Sequence, residues 1–149
     1  MKYTVEVEID KPLNKVVEVF RNTENYYDWM KGLENIEQLK GTPGEEGAET
    51  LLHFTIGKRK MKMKEVVLRS NLPVSYLVSY NVKGVYNEVD NKFESIDNNR
   101  TLYTTANYFR FSGLMKLFSV FGKKSFTKQS LKYANDFKKF VEEKYEQND

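Results

Sequence analysis

The chain has 149 residues, the length of one domain, and its 24 lysines and arginines nearly balance 21 aspartates and glutamates. A formal net charge of +3 is too small to indicate nucleic-acid binding, and the absence of cysteine excludes disulfides, thiolate nucleophiles and cysteine-based zinc sites. The sequence shows no apolar signal-peptide core and no run of about 20 apolar residues, so we expect a cytoplasmic protein with a single domain over residues 1–149.

The N-terminal region predicts one strand followed by two short helices. Apolar and polar side chains alternate over residues 3–9, which is the period of a half-buried strand. Asp10 is the expected N-cap of a first helix, and Thr23 that of a second helix that runs through Trp29 and stops at Gly32. The apolar face of the first helix is formed by Leu13, Val16, Val17 and Phe20.

The middle of the chain alternates between strand patterns and turn residues, which predicts antiparallel hairpins. Turns are expected at residues 41–47, 57, 71–73, 84 and 97–99, where glycine, proline or asparagine interrupts the pattern. Strand patterns lie at residues 50–56, 61–63, 74–82, 85–93 and 102–111. For the last of these strands the inward face stays open, because Tyr103, Thr105 and Phe109 compete with Leu102, Ala106 and Tyr108. A sheet with one apolar face needs a cover on that face.

The expected cover is a long helical pattern that follows Gly113 and ends near Lys144. Its inner side is formed by Phe126, Ser130, Tyr133, Phe137, Phe140 and Val141. The apolar stripe of residues 114–121 points in a different direction, so we expect a break or kink near Gly122. Segment 114–121 is interpreted as a lid over a pocket, as a surface that touches a membrane, or as a plain core-facing turn.

Several local sequences, taken in this order, resemble the START-like (SRPBCC, polyketide cyclase/dehydrase) superfamily. They are Ile9-Asp10-Lys11-Pro12 with Val16, Val19 and Phe20, then Tyr26-Tyr27-Asp28-Trp29, Gly44-Glu45-Glu46-Gly47, Arg100-Thr101-Leu102 and residues 126–131. The resemblance covers residues 3–143 and implies an α+β helix-grip fold. In that fold a curved antiparallel sheet of about seven strands surrounds a long C-terminal helix, with two short helices between strands 1 and 2. Members bind lipids, sterols, polyketides or plant hormones, and share no common catalytic residues.

A cavity between sheet and long helix is the site that this resemblance implies. Side chains expected to face it are Trp29, Phe54, Met61, Met63, Tyr76, Val78, Tyr80, Asn87, Asn91, Phe93, Phe126, Tyr133 and Phe137. Asn87 and Asn91 share a strand face with Phe93, so their amides either bind a ligand oxygen or pair with each other, a water or Tyr80. The hydroxyls of Tyr76 and Tyr80 either orient a ligand or belong to core rings that reach solvent.

The remaining polar residues offer little sign of chemistry. His53, the only histidine, is expected on the solvent face opposite Phe54, without further ligands at metal-binding spacing. The basic run 58–64 is interpreted as a solvated strand edge, or alternatively as a contact for anionic lipid or nucleic acid. No P-loop, dinucleotide fingerprint or nucleophile elbow is present, so neither metal nor cofactor is expected.

The expected function is binding or carriage of a small hydrophobic ligand by a monomer or homodimer, with transient membrane contact as one interpretation of segment 114–121. Two alternatives stay open. In the first, the same cavity belongs to an enzyme of the aromatase/cyclase or dehydratase type. In the second, the domain binds proteins, as a chaperone activator does, and the cavity is vestigial; a filled core would favour this alternative.

Overall fold

Seven strands form one antiparallel sheet in the computed structural model, which describes residues 1–146 apart from the side chains of Phe118 and Phe121. The strands are β1 (Lys2–Ile9), β2 (Leu33–Lys40), β3 (Glu49–Ile56), β4 (Arg59–Asn71), β5 (Ser75–Val82), β6 (Val85–Asp97) and β7 (Arg100–Phe111). Their order across the sheet is β1-β7-β6-β5-β4-β3-β2, so β2 to β7 form a meander and β1 pairs with the last strand. Register shifts in three of the strand pairs are the bulges that bend such a sheet.

The helices lie at the start and the end of the chain. Between β1 and β2 are α1 (Leu13–Arg21), a 3₁₀ turn (Thr23–Asn25) and α2 (Tyr26–Trp29). After β7 come a 3₁₀ helix (Gly113–Phe118) and α3 (Ser119–Glu146), which packs along β1 and against α2. The chain therefore has the helix-grip fold, and the predicted fold class is confirmed. In the part of the chain that the structure describes, no helix is long and apolar enough to cross a membrane.

The tightest packing lies where α3 meets α1 and the middle of the sheet. Phe137 of α3 is fully buried at 0 % exposure. Four rings surround its own ring at centroid distances of 5.2–6.4 Å, those of Phe20, Trp29, Phe93 and Tyr103. The mostly edge-on geometry of these pairs is favourable for aromatic side chains. This aromatic cluster closes one end of the space beneath α3.

The two predicted helix caps are wrong by two positions and one position, because the caps are Pro12 and Asn22. The Lys11 N–H donates to the Ile9 carbonyl at 2.8 Å, a turn that delays the start of α1 to Leu13 and leaves Asp10 out of reach of its first N–H groups. The Asp10 N–H instead donates to the Glu142 carboxylate of α3 at 2.8 Å. At the second helix the cap is Asn22 rather than Thr23, because the Asn22 side chain accepts the N–H of Glu24.

The break expected near Gly122 occurs earlier, where the 3₁₀ helix passes into α3 at Ser119. Gly122 lies inside α3 and is buried. A Cβ atom at this position would lie 2.7 Å from the Phe126 ring, so glycine makes room for that ring rather than for a bend. The Phe126 ring in turn packs against Phe109 and Phe111 at 4.7 and 5.5 Å.

The basic run 58–64 lies at the β3–β4 hairpin, where β4 pairs with β3 from Arg59 onward but with β5 only from Lys64 onward. Residues 59–63 therefore have a partner strand on one side only among the described residues, which is the arrangement expected of a solvated strand edge. Lys64 is engaged by Glu49 at 2.7 Å across to β3. The outermost strand on this side of the sheet is β2, which the apolar pattern alone does not reveal because only Leu33 of its residues is buried.

Candidate functional site

A cavity of about 460 Å³ lies between the inward face of the sheet and the helices α2 and α3. This volume is within the range of sites that hold small molecules. The predicted site residues that line it are Trp29, Phe54, Met61, Met63, Tyr80, Asn87, Asn91, Phe126 and Tyr133. Its wall is thus largely aromatic and aliphatic, with a few amides and hydroxyls.

The other predicted site residues do not line the cavity. Tyr76, Val78, Phe93 and Phe137 are all buried in the closed end of the molecule. These side chains point inward, as their spacing along the strands and the helix predicts. They do not reach the cavity because α1 fills the space in front of them. Phe20 of α1 lies edge-on to Tyr76 at 5.4 Å and to Phe93 at 4.9 Å. Phe20 itself forms the boundary, since it lines the cavity from the other side.

The structure decides the inward face of β7. Tyr103, Thr105, Asn107 and Phe109 line the cavity, while Leu102, Ala106 and Tyr108 lie on the other face. Other cavity residues that sequence reasoning did not single out include Tyr26, Leu52, Val82, Val85, Val89, Met115 and Gln129. Most of these follow from strand parity, because Leu52 shares the face of Phe54, and Val82 that of Tyr80.

Asn87 and Asn91 both reach the cavity but differ in how far they are already satisfied. The Asn91 Nδ2–H donates to the Tyr76 carbonyl at 3.0 Å, and its Oδ1 accepts the Tyr103 hydroxyl at 2.6 Å. Asn91 therefore joins three strands, and both its amide nitrogen and its amide oxygen already have partners in the protein. The hydrogen bonds of the Asn87 side chain within residues 1–146 use only Nδ2, which donates to the carbonyls of Glu88 and Tyr108 at 3.2 Å. The Asn87 amide oxygen thus stays available.

Glu65 is the residue that the sequence reasoning missed. It lies in β4 directly opposite Tyr80 of β5, and it is only 4 % exposed. Burial, the dominant cause, raises the pKa of its carboxyl to about 7, partly offset by a hydrogen bond with the Tyr80 hydroxyl. The signal was present in the sequence, because Glu65 follows Met61 and Met63 at steps of two and so shares their inward face.

A small polar cluster surrounds this carboxyl group. Burial, with the nearby Glu65 charge as a further cause, raises the pKa values of Tyr26, Tyr76 and Tyr80 above their ordinary range. Glu65 Oε2 and Trp29 Nε1 are buried without a hydrogen-bond partner among the described residues. Trp29, Tyr26 and Tyr80 also line the cavity, so the cluster forms part of its wall. Such a group can exchange a proton near neutral pH or hold one polar group of a guest.

The cavity opens at the end of the sheet where the β3–β4 and β5–β6 hairpins lie. Ile56, next to the first hairpin, lines the cavity and is still 54 % exposed. At the second hairpin Gly84 touches Met115 of the 3₁₀ helix, since a Cβ atom on Gly84 would lie 2.6 Å from the Met115 side chain. The Ser112 N–H donates to the Gly84 carbonyl at 2.9 Å, which fixes the 3₁₀ helix to this hairpin.

His53 lies outside this site. It is on the outer face of β3, where its Nε2 is 3.2 Å from a carboxylate oxygen of Glu37 on β2. Within the described part of the chain, no group of three histidine, aspartate or glutamate side chains is placed to hold a metal ion.

Solved structures with this architecture include enzymes and proteins of other kinds. An aromatase/cyclase from a Streptomyces species superposes with a TM-score of 0.75 and 15 % identity, over 95 % of this chain and 93 % of that one. A START superfamily protein from Mycobacterium smegmatis gives 0.75 and 13 %, over 95 % and 97 % of the two chains. Norcoclaurine synthase from Thalictrum flavum, solved with dopamine and hydroxybenzaldehyde, gives 0.72 and 15 %, over 96 % and 87 %.

These superpositions establish a fold that the chain shares with the three proteins, the helix-grip fold, and not an activity. No protein-family model matches the sequence. Comparison with curated proteins likewise finds no match.

Proposed function

We propose that this protein binds a small, largely apolar molecule in the cavity beneath α3 and holds or carries it. The observation that carries the proposal is the cavity itself, about 460 Å³ with an aromatic and aliphatic wall and one open end. A well-packed domain core leaves few voids larger than a water molecule, so a space of this size is a feature of the fold rather than loose packing. The START-like fold supports the proposal, since a norcoclaurine synthase of this fold was solved with two small aromatic molecules.

Asn87 and Tyr80 are the residues we propose to orient one polar group of the ligand. The Asn87 amide oxygen accepts no hydrogen bond within the described residues, and the Tyr80 hydroxyl lies at the junction between cavity and Glu65. Asn91 has a structural part instead, because its amide is bound at both ends. A ligand donor that reaches the Asn87 amide oxygen would add a hydrogen bond without displacing one that the protein already makes.

A second candidate function is acid–base catalysis in the same cavity, as in an aromatase/cyclase. Glu65 favours it, because its pKa of about 7 lets the carboxyl gain or lose a proton at physiological pH. Glu65 acts through Tyr80 rather than directly, since Tyr80 lines the cavity and Glu65 does not. The protein-interaction alternative lacks the filled core that would have favoured it, since a cavity of about 460 Å³ lies beneath α3.

Non-denaturing mass spectrometry of freshly purified protein, with solvent extraction, tests the main proposal. We expect a discrete adduct of a few hundred daltons. Val89→Trp places a large ring in the cavity and should abolish the adduct, whereas the matched change Leu77→Trp lies on the outer face of the neighbouring strand and should keep it.

A protein purified without ligand is tested with an apolar fluorescent probe, 1-anilinonaphthalene-8-sulfonate. Trp29 is the only tryptophan and lines the cavity, so energy transfer from Trp29 to the probe reports binding at this place. Absence of both an adduct and energy transfer in the wild-type protein, or an equal adduct in Val89→Trp, would contradict the proposal. Turnover of a candidate substrate that is lost in Glu65→Gln with binding intact would instead favour the enzyme.

A further inference from the structure

An apolar ridge projects into solvent beside the open end of the cavity. It is formed by Leu114, Leu117 and Val120, which are 84 %, 69 % and 80 % exposed. A 3₁₀ helix has three residues per turn, so Leu114 and Leu117 lie on one line, and Val120 follows in the first turn of α3. Met115 lies on another side of the same helix and lines the cavity. The expectation of a plain core-facing turn for segment 114–121 is therefore wrong for the ridge.

Exposure of this kind is concentrated at one place. The three ridge residues are the most exposed of the large apolar side chains that the structure describes. Val74, at 65 %, comes next but stands alone in the β4–β5 turn at the opposite end of the sheet. Single exposed apolar residues are ordinary, whereas a contiguous exposed group marks a surface that meets an apolar partner.

The charged side chains of the ridge segment and of the two nearby hairpin turns are all positive. Lys116 lies within the ridge segment, and Lys123 and Lys124 follow it on exposed positions. The two hairpins at the same end add Lys83 and the exposed run 58–60, Lys-Arg-Lys. Residues 56–64, 78–87 and 105–128, which lie toward this end, contain no aspartate or glutamate. An aliphatic ridge within a field of lysines is complementary to a bilayer with anionic headgroups and apolar chains.

We propose that the ridge Leu114, Leu117 and Val120, together with the surrounding lysines, docks this protein onto an anionic phospholipid bilayer with the cavity opening facing the lipid. Cations from three separate chain segments surround the opening, which suits a laterally continuous charged surface. A cytoplasmic location, as the sequence leads us to expect, would present such a surface to the protein. The inference goes beyond the proposed function and is independent of ligand identity.

Vesicle sedimentation tests the apolar part of the proposal. Vesicles of phosphatidylcholine are compared with vesicles that also contain phosphatidylglycerol, and we expect at least tenfold stronger binding to the latter. Leu117→Glu should lower this binding more than tenfold, because a charge then replaces an apolar group that the bilayer would bury. Val74→Glu is the matched control at the other end of the sheet and should leave the binding unchanged. Circular dichroism verifies that both variants are folded.

The charged part is tested with the double variant Lys123→Gln/Lys124→Gln. Each lysine near an anionic surface contributes a factor of about five, so we expect a loss of roughly 25-fold and a weaker dependence on salt. Lys139→Gln is the control, because Lys139 lies near the other end of α3 and is equally exposed to solvent.

Three outcomes would overturn the proposal. Wild-type protein that fails to bind the phosphatidylglycerol vesicles is the first, and equal effects of Leu117→Glu and Val74→Glu are the second. The third is a concentration-dependent dimer that Leu117→Glu dissociates while vesicles stay unbound, which would make the ridge an interface between copies of this chain. A bound ligand in mass spectrometry together with failed vesicle binding removes the docking proposal and leaves the cavity proposal standing.

Discussion

The two ends of the space beneath α3 differ although the same helix and the same sheet form both. At the closed end, Phe137 sits at 0 % exposure among four rings. At the open end, Leu117 lies 69 % exposed in the segment that leads into the same helix, and the strands leave a cavity. The comparison indicates that the residues that stabilise the fold and the residues of the proposed binding site lie at opposite ends of the strands. Changes at the closed end should act on folding, and changes at the open end on binding.

The largest expected effect is the loss of stability when a ring is truncated at the closed end, compared with the same change at the open end. Phe137→Ala should lower the free energy of unfolding by about 3–5 kcal/mol, because it opens a void in packed core. Phe126→Ala should cost markedly less, since the Phe126 ring borders existing space. Urea unfolding of the two variants measures both values. Equal losses would show that the ends do not differ in packing.

The next largest expected effect is a change in the free energy of unfolding with pH, which is caused by the Glu65 carboxyl group. Its pKa is raised from an ordinary value of 4.5 to about 7 in the folded protein. The stability that the neutral carboxyl provides is therefore complete below about pH 4.5 and is lost as the pH rises to about 7. The loss should amount to about 3 kcal/mol.

Urea unfolding between pH 4 and pH 8 measures this dependence, with Glu65→Gln as the comparison. The variant carries no ionisable group at this position, so its stability should fall less with rising pH. Parallel curves for the two proteins would show that Glu65 does not titrate in this range.

The smallest effects separate the two cavity amides. Asn91→Leu should cost about 1–3 kcal/mol, because it leaves the Tyr103 hydroxyl and the Tyr76 carbonyl without their partner. Asn87→Leu should keep the thermal midpoint within a few degrees and weaken ligand binding. Calorimetry and probe titration of the pair measure both quantities. Unchanged affinity in Asn87→Leu would remove this residue from the binding site.

Strand parity allowed much of the fold and of the cavity wall to be predicted from the sequence. It placed Phe54, Met61 and Met63 on the inward face, and these residues line the cavity. Parity does not say what stands in front of an inward side chain. Tyr76 and Phe93 face inward as well, yet Phe20 of α1 covers them, and this contact depends on tertiary packing.

Three features escaped prediction, each for a physical reason. Glu65 is inward by parity, but a carboxyl group in a buried position contradicts the usual hydrophobic pattern. The edge strand β2 hides its pattern because solvent reaches nearly all of its side chains. Glycine at position 122 is typical of a helix break. In the structure it instead leaves room for the Phe126 ring, and no local sequence pattern reveals this contact.

The contact between Gly84 and Met115 has a consequence for the kinetics of exchange. Among the described residues, one backbone hydrogen bond, from Ser112 to Gly84, and the packing of one flexible methionine connect the 3₁₀ helix to the β5–β6 hairpin. Breaking such a bond costs about 1 kcal/mol net, far less than opening the sheet. For a molecule held as proposed, we therefore expect the dissociation rate to depend on this contact and not on the lifetime of the folded state.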